Sequence, residues 1–289
     1  MKRRKFIKSL SYSAGALSLA TFPYAMYAQE KKLYPYDRVI LGNTDIETSR
    51  MAMGTGTSGW GGSSNQTRRL GIKGLSDLLR AAFDEGLTFW DSADGYGSHR
   101  HLREALKKIN REDVTILTKS TAKDASSMKR DLDRFRKEIG TDYLDVVLLH
   151  AVTNPNWRND YRGAMEVLSE AKASGLIRAH GISCHSIGAL REAAVEPWVD
   201  LDLARFNPGA RKMDADVDTV RNVLQQMEKN GTSVMGMKVY GAGSLLHMKD
   251  ECLQFQAGHP FIQSFTLGIE SYEQLTDVLK RFPAASVRA

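Results

Sequence analysis

Short apolar runs alternate with amphipathic stretches from about residue 50 onward in this 289-residue chain. Eight runs have the length of a buried strand, and they end in turn at Met53, Trp90, Lys119, Leu149, Ser183, Phe206, Lys238 and Leu267. Helical stretches are predicted near residues 74–84, 100–108, 126–139, 161–173, 187–194, 217–229 and 272–281, and the segment after the seventh run is the least regular. This repeat predicts the α/β class and a (β/α)8 TIM barrel, whose site lies at the carboxyl ends of the strands.

An open, doubly wound sheet is the alternative that the same alternation allows. Such sheets carry a Gly-x-Gly-x-x-Gly turn that opens a helix after an early strand. The early predicted strands of this chain are followed by no such turn. The barrel is therefore the favoured fold.

The first 30 residues differ from the rest of the chain. A basic head, Arg3-Arg4-Lys5-Phe6-Ile7-Lys8, precedes an apolar stretch over 10–20 and small residues at Ala25 and Ala28. The head resembles the twin-arginine export signal, which is read by machinery that moves folded proteins. We therefore predict a signal segment over 1–28, a barrel domain over 29–289, and a periplasmic or exported location. Because Met26 stands where a cleavage site usually has a smaller residue, an uncleaved membrane anchor stays open.

The net charge of +6 arises mainly in this first segment. Its five basic residues have no acidic counterpart, and without them 35 basic residues face 34 acidic ones in residues 29–289. A nearly neutral domain gives no support to nucleic-acid binding. Past residue 30, no stretch approaches the roughly 20 apolar residues of a membrane span. With only Cys184 and Cys252 present, disulfides are not expected to be a framework for the fold.

Four proton-active side chains stand at the ends of three successive predicted strands. They are Asp91, Tyr96, Lys119 and His150. An ammonium near a phenol stabilises the phenolate and lowers the pKa of the phenol, while a carboxylate holds the ammonium in place. A histidine beside the phenol can orient a carbonyl oxygen. The set predicts protonation of a forming oxyanion, as in hydride delivery to an aldehyde or ketone.

Three segments resemble motifs of the aldo-keto reductase family. They are Phe89 to Gly97, Leu117-Thr118-Lys119 and Leu148-Leu149-His150, and the similarity extends from about Leu41 to Phe282. The resemblance implies that Tyr96 is the general acid, that Lys119 and Asp91 tune it, and that His150 orients the substrate. It also implies NAD(P)H as cofactor and a small carbonyl (aldehyde, ketone or sugar-like) or alcohol substrate.

The same resemblance suggests which residues hold the cofactor. Gly54, Thr55 and Gly56 match the loop beside the nicotinamide ribose, and Ser183 with Cys184 matches the carboxamide site, where asparagine is usual instead of cysteine. The family's strand-six glutamine falls on Leu203, and its stacking aromatic residue falls near Met237. Candidates for the pyrophosphate loop and its neighbourhood are Lys238, Gly241 and Gly243.

Three residues after the last predicted strand bear on the choice of nucleotide. Glu270 and Gln274 stand where NADPH-dependent members have lysine or arginine, and Asp277 matches an acid near the adenine. A carboxylate repels a 2′-phosphate and accepts hydrogen bonds from a ribose diol. We therefore expect a slight preference for NADH over NADPH.

Other residues are expected near the substrate. Trp157 and His185 are candidates for the pocket wall, with packing of a loop as the other reading of Trp157, and Arg205 is a candidate anion holder if it faces the mouth. No metal site is expected, because the side chains of His99 and His101 diverge at a helix start. A non-catalytic barrel that binds a sugar or nucleotide as a sensor or partner module is the alternative function.

Overall fold

Eight parallel strands close into a barrel within residues 32–288, the part of the chain that this computed structural model describes. A hairpin of β1 (Arg38–Ile40) and β2 (Glu47–Ser49) precedes it. The barrel strands are β3 (Met51–Gly54), β4 (Phe89–Asp91), β5 (Thr115–Ser120), β6 (Leu144–Val152), β7 (Ile177–Cys184), β8 (Leu201–Arg205), β9 (Ser233–Met237) and β10 (Ser264–Gly268). Neighbours in sequence are neighbours in the barrel, and β10 pairs with β3. The predicted TIM barrel is confirmed, and the open sheet is wrong.

Helices follow the barrel strands. They are α1 (Asn65–Asp84), α2 (His99–Leu106), α3 (Ala125–Ile139), α4 (Trp157–Asp160), α5 (Arg162–Ala173), α6 (Ile187–Ala193), α7 (Val217–Lys229), α8 (Lys249–Ala257) and α9 (Tyr272–Ser286). Five of them begin where a side-chain oxygen accepts a hydrogen bond from a first-turn amide, at Ser64, Asp124, Ser186, Asp216 and Ser271. Each cap satisfies an amide that has no partner within the helix.

The first helix begins earlier than its apolar pattern suggests. Helical residues were expected from about Gly74, whereas α1 starts at Asn65. Gly71 lies inside it with φ of 60° and ψ of −173°, so the helical path is interrupted there. The turn before Gly71 carries a capping box between Ser64 and Thr67, which stabilises a start that the apolar pattern does not show.

Buried side chains form two layers that alternate along each strand. One layer fills the barrel and comprises Leu41, Ile46, Ala52, Phe89, Leu117, Val146, Leu148, Ala179, Leu201, Leu203, Met235 and Met237. The other layer lies between the barrel and the helices and includes Trp90, Ile116, Val147 and Ala204. Since successive residues of a strand face opposite sides, a residue's layer tells which way its side chain points.

The β1–β2 hairpin closes one end of the barrel. Its strands pair antiparallel, and Leu41 and Ile46, which lie between them, pack into the barrel interior. Because β2 leads directly into β3, the hairpin lies at the amino ends of the barrel strands. The first turn of the domain also meets the last helix there, since the Leu33 amide donates to Ser286 Oγ at 3.0 Å.

The predicted signal segment over 1–28 lies outside the described residues, and a domain start at residue 29 stays a prediction. Over 32–288, no helix combines the length and apolar character needed to cross a membrane. Cys184 and Cys252 are both buried and unbonded. They lie apart on β7 and α8, as expected of cysteines that do not form a framework.

Candidate active site

Lys119 and Asp91 form a buried ion pair at the mouth of the barrel. Lys119 has no solvent exposure, and its Nζ donates to Asp91 Oδ1 and, at 2.8 Å, to the carbonyl oxygen of Ser92. The second oxygen of Asp91 accepts from Thr266 Oγ1 at 2.9 Å. Three strands, β4, β5 and β10, therefore fix one charge pair, and its hydrogen bonds compensate for its removal from water.

Tyr96 stands over this pair, at the end of a short 3-10 turn that follows β4. Its ring centroid lies 4.9 Å from Lys119 Nζ. The ring of His150, on β6, meets it edge-on, with 5.6 Å between centroids and an interplanar angle of 82°. The sequence prediction that Asp91, Tyr96, Lys119 and His150 lie together agrees with this placement.

The ionisation of Tyr96 differs from the expected direction. Burial raises the pKa of Tyr96 above its ordinary value, Lys119 opposes that shift, and Asp91 adds to it. Burial also disfavours the charged form of Lys119, but Asp91 and Tyr96 outweigh it, so the pKa of Lys119 is raised. The expected lowering of the Tyr96 pKa is therefore wrong for the free protein. A phenol that keeps its proton at neutral pH beside a permanent ammonium is suited to act as an acid.

His150 is neutral at physiological pH. Burial, followed by the charge of Lys119, lowers the pKa of His150 to about 3. Its Nδ1 is buried and has no hydrogen-bond partner among residues 32–288. The Nε2 atom is therefore the ring nitrogen that can reach a ligand in the mouth.

Gly54, Thr55 and Gly56 shape the wall of the site. The Thr55 hydroxyl is buried and bonded to the Asp91 carbonyl at 2.9 Å and to Ser98 Oγ at 2.8 Å. A Cβ at Gly54 would lie 2.8 Å from the carbonyl oxygen of Leu267, on the neighbouring strand β10. The Thr55 hydroxyl is engaged by these two hydrogen bonds within the protein, and the position of this loop beside a nicotinamide ribose stays a prediction. Gly56 faces the mouth, and a Cβ there would overlap the ring of Tyr96.

The two residues assigned to the carboxamide point in opposite directions. Ser183 is buried at the end of β7, and its Oγ has no partner within the described chain. Cys184 has no exposure and packs in the layer between barrel and helices, beside the carboxyl group of Asp202. The prediction that Cys184 contacts the cofactor is wrong, because strand alternation places its thiol on the outer side of the barrel.

A glycine-rich turn follows β9. Lys238, Gly241 and Gly243 all have positive φ, at 56°, 57° and 96°. Space outside Gly243 is open, since a Cβ there would meet nothing within 4 Å. Asn207, which the sequence reasoning missed, anchors the turn by donating to the Lys238 carbonyl at 3.1 Å. An asparagine directly after the predicted strand end at Phe206 was the signal available in the sequence.

The residues assigned to the adenosine end are already engaged. Glu270 pairs with Arg69 Nη1 at 2.6 Å and accepts from Asn65 Nδ2 at 3.1 Å. Gln274 Oε1 accepts from the Glu270 amide at 2.8 Å. These contacts join the start of α1 to the turn before α9, so Arg69 is another residue that sequence reasoning missed at this end of the site.

Asp277, one helical turn after Gln274 on α9, makes ion pairs of its own. It accepts from Lys249 Nζ at 2.8 Å and from Arg281 Nε at 2.6 Å. These ion pairs link α8 to α9 on the outside of the barrel. Both of its oxygens bond to cations of these helices, and its assignment to the adenine end of a cofactor stays a prediction.

Trp157 and His185 have different surroundings. Trp157 has no exposure and packs in the outer core, so its assignment to the pocket wall is wrong and the packing reading holds. His185 lies at the mouth, where burial, followed by the charge of Arg205, lowers its pKa to about 4. The exposed aromatic residue of the mouth is instead Trp60, 63% accessible, with its ring 5.7 Å from that of His150. Its place in the Gly-rich loop after β3 was the signal that we missed.

Asp94, His99 and Glu138 bring potential metal-ligand atoms within 4.8 Å of one another. His99 Nδ1 lies 2.8 Å from Glu138 Oε2, and Asp94 pairs with Arg134 at 2.6 Å. Arg134 also contacts Glu138 at 3.4 Å. The arginine supplies the positive charge in this group, which explains the arrangement without a metal ion.

Two known proteins are similar in sequence to part of this chain. The aldo-keto reductase YhdN of Bacillus subtilis (strain 168) is 32% identical over 164 residues, which cover 51% of this chain and 46% of that protein. The NADH-specific methylglyoxal reductase of Escherichia coli (strain K12) is 27% identical over 205 residues, or 62% of each chain. Each alignment covers less than two thirds of the relative's own length.

Solved structures share the fold. An aldo-keto reductase from Bacillus halodurans, in its holo form, superposes with a TM-score of 0.68 at 17% identity over 85% of this chain and 90% of that one. An aldo-keto reductase from Klebsiella pneumoniae in complex with NADPH gives 0.63 at 20% identity, over 88% and 90%. The sequence model of the aldo/keto reductase family matches residues 50–283, which contain the whole proton-transfer group. The chain belongs to the aldo/keto reductase family.

Proposed function

We propose that the protein is an NAD(P)H-dependent oxidoreductase that interconverts an aldehyde, ketone or sugar-like carbonyl compound and its alcohol. The observation that carries this proposal is the packing of Tyr96 over the buried Lys119–Asp91 pair, with a neutral His150 beside it. This arrangement holds a proton donor and a hydrogen-bonding group at one point of the barrel mouth. A carbonyl oxygen placed there meets both.

The residues around the mouth fit a nicotinamide nucleotide in part. The partnerless Ser183 Oγ suits a carboxamide, and the open space outside Gly243 suits a pyrophosphate. The Glu270 carboxylate accepts one hydrogen bond at each oxygen and keeps a second acceptor site on each, which suits a ribose diol. Leu203 and Met237 leave apolar surface where the family has a glutamine and an aromatic ring. When bound, the nicotinamide supplies the hydrogen and the electron pair that the carbonyl carbon receives.

The chain's own residues bind and protonate the carbonyl oxygen. His150 Nε2 and the Tyr96 hydroxyl bind the carbonyl oxygen and orient it. As negative charge develops there, Tyr96 gives up its proton to this oxygen, and Lys119 stabilises the phenolate that remains. Asp91 keeps the ammonium in position. General acid catalysis of this kind contributes about 10²- to 10⁴-fold to the rate.

Replacing Tyr96 with phenylalanine tests the proposal. We expect kcat for aldehyde reduction to fall by about 10²- to 10⁴-fold, because the proton donor is removed while the ring stays. NADH binding, measured by fluorescence titration, should persist. Tyr143→Phe is the matched control, since Tyr143 immediately precedes β6, at the closed end of the barrel. Full activity of Tyr96→Phe would overturn the proposal.

A binding barrel without catalysis is the second candidate. It is favoured by the outward-facing Cys184 and by the apolar Leu203 and Met237, which leave Ser183 as the polar contact to a carboxamide on this side. Nucleotide binding without turnover of any aldehyde, and without an effect of Tyr96→Phe, would support this candidate over the oxidoreductase.

NADH is the nucleotide that we propose as preferred. Glu270 is held by Arg69 and Asn65 at the adenosine end, where a 2′-phosphate would meet its carboxylate. The Escherichia coli relative is named as NADH-specific, although the Klebsiella pneumoniae structure contains NADPH. Fluorescence titration with both nucleotides tests this choice. Tighter binding of NADPH would overturn this choice.

We also propose that residues 1–28 form a twin-arginine signal that directs the folded protein to the periplasm. The support is the Arg3-Arg4 pair, followed by an apolar stretch in the sequence. Replacing both arginines with lysine should leave the protein in the cytoplasm, as measured by cell fractionation. Export of that double variant would contradict the proposal. The size of the exported protein tells whether the segment is cleaved or anchors it.

A further inference from the structure

Three cationic or imidazole side chains converge on the mouth from neighbouring strands. Arg205 ends β8, His185 follows the end of β7, and Lys238 follows the end of β9. Arg205 pairs in register with Met237, the residue before Lys238. Because parallel strands end at the same face of a barrel, these three residues stand at one level of the mouth, beside His150 on β6 and across from Tyr96, which follows β4.

Strand alternation and backbone conformation direct these side chains inward. Leu201 and Leu203 fill the barrel interior, so Arg205, two residues later, faces the same side. Alternation after Met237 would turn Lys238 outward, but its φ of 56° breaks the strand there. Lys238 lies close enough to Asp91 and Lys119 for both charges to affect its pKa. The ammonium is therefore on the reacting side of the mouth.

The charges of this region do not balance. Lys119 pairs with Asp91, and Arg205 pairs with Asp214, which leaves Lys238 with no carboxylate at ion-pair distance in the described part of the chain. Burial, followed by Arg205 and Lys119, lowers the pKa of Lys238, and the charge of Asp91 opposes only part of this shift. An excess positive charge at a half-buried site attracts an anionic group.

Arg205 offers a further donor. Its Nη2 donates to Asp214, whereas its Nε is buried without a partner among the residues described. The side chain is thus positioned by Asp214 while part of its hydrogen-bonding capacity remains unused. An arginine and a lysine that stand together at one mouth are a common means of holding a carboxylate or phosphate.

We propose that the mouth selects carbonyl substrates that carry a carboxylate or phosphate, with Lys238 and Arg205 holding the anion and His185 beside it. This inference rests on the proposed function, because it places the carbonyl group of the same molecule at Tyr96 and His150. The cofactor's pyrophosphate is another possible source of the anionic chemistry. The proximity of Lys238 to Asp91 and Lys119 favours the substrate, since the pyrophosphate is separated from the nicotinamide by a ribose.

A matched pair of aldehydes tests the proposal. 4-Carboxybenzaldehyde and 4-carbamoylbenzaldehyde are close in size and shape and differ in charge. We expect wild-type kcat/KM to favour the carboxylate at least about tenfold, and Lys238→Met to reduce that ratio at least about tenfold, as for a lost charge-assisted hydrogen bond. Lys229→Met is the control for net charge, because Lys229 is exposed at the end of α7, at the closed end of the barrel.

Two outcomes would overturn the proposal. One is an unchanged substrate ratio in Lys238→Met together with weaker NADH binding, which would assign the lysine to the pyrophosphate. The other is a wild-type protein that favours the neutral aldehyde. Arg205→Lys is the second variant, because it retains a charge for Asp214 while losing the planar guanidinium, so a smaller fall in the ratio is expected there.

A binding measurement separates this inference from the proposed function. Calorimetric titration of the cofactor-free protein with benzoate, at constant ionic strength, reports on the anion site without turnover. If neither aldehyde is reduced but benzoate binds and Lys238→Met weakens it, the anion site stands and the oxidoreductase proposal fails. If both aldehydes are reduced equally and benzoate does not bind, the anion site fails and the oxidoreductase proposal stands.

Discussion

At the scale of single residues, glycine and aromatic side chains determine where the proton donor sits. Gly56 has no side chain at the point where the Tyr96 ring passes, and a Cβ there would overlap ring atoms. Gly95, in the turn that carries Tyr96, has room for a Cβ, with nearest contacts of 3.8 Å and 3.9 Å to Trp60 and His150. Substitution of these two glycines by alanine is therefore expected to have different effects on the position of Tyr96.

Gly56→Ala should lower kcat for aldehyde reduction by about tenfold or more, because the displaced Tyr96 no longer meets the carbonyl oxygen at the right distance. Gly95→Ala should reduce it far less. Steady-state kinetics of both variants, together with thermal unfolding to confirm that each is folded, measure this difference. Equal activities in the two variants would show that the Tyr96 ring moves without consequence for the reaction.

At the scale of elements, most of the barrel could be predicted because its strands and helices carry clear periodicity. The helix α7 was predicted at Val217–Lys229 and occurs there. The hairpin was missed because β1 and β2 have three residues each, too few to show alternation. The helix α8 was missed because its buried residues, Cys252, Leu253 and Gln256, form only a narrow stripe.

The site was predictable in part for a different physical reason. Strand ends can be located from apolar runs, and this placed Lys119 and His150 correctly at the mouth. At a strand end, a shift of one residue in the predicted register reverses the side that a side chain faces. This is why Cys184 was assigned to the wrong side of the barrel. The neutral state of His150 and the raised pKa of Tyr96 depend on burial, which spacing along the chain does not reveal.

Asn207 joins two elements and gives a prediction at this scale. Its amide group donates to the carbonyls of Arg211 and Lys238, and its oxygen accepts from the Arg211 amide at 3.0 Å. Asn207→Ala should destabilise the protein by about 1–3 kcal/mol, because buried backbone groups lose their partners. NADH binding should also weaken, since the turn that follows Lys238 is released.

Urea unfolding and fluorescence titration measure the two effects. Asn230→Ala is the matched control, since Asn230 makes one side-chain hydrogen bond, to the Ala194 carbonyl at 2.8 Å, at the closed end of the barrel. It should cost less stability and leave nucleotide binding unchanged. Unchanged binding in Asn207→Ala would indicate that the turn after β9 does not contact the cofactor.

At the scale of the whole molecule, buried neutral histidines couple stability to pH. His150 and His185 have pKa values lowered to about 3 and about 4 from an ordinary value near 6.5. Below pH 6.5 the unfolded chain binds protons at these sites that the folded chain does not bind. The stability that these two neutral histidines contribute to the folded protein is therefore fully present above pH 6.5. It is lost progressively as the pH falls towards 4 for His185 and 3 for His150.

We expect the free energy of unfolding to fall by about 2 kcal/mol per histidine between pH 7.5 and pH 5. Urea unfolding at the two pH values measures it, and His150→Asn should show a smaller loss than the wild type. An identical loss in the two proteins would mean that His150 is already protonated, or solvated, in the folded state.

The contact of Leu33 with Ser286 has a topological consequence. It brings the first and last turns of the described domain together at the end that the hairpin closes, far from Tyr96. A short linker can therefore join residues 32 and 288, and new ends can be opened between α7 and β9, at the same end of the barrel. Such a circular permutant would keep the order of the strands around the barrel and every contact of the mouth. A fusion partner attached at its new ends would leave the substrate's approach to the mouth unobstructed.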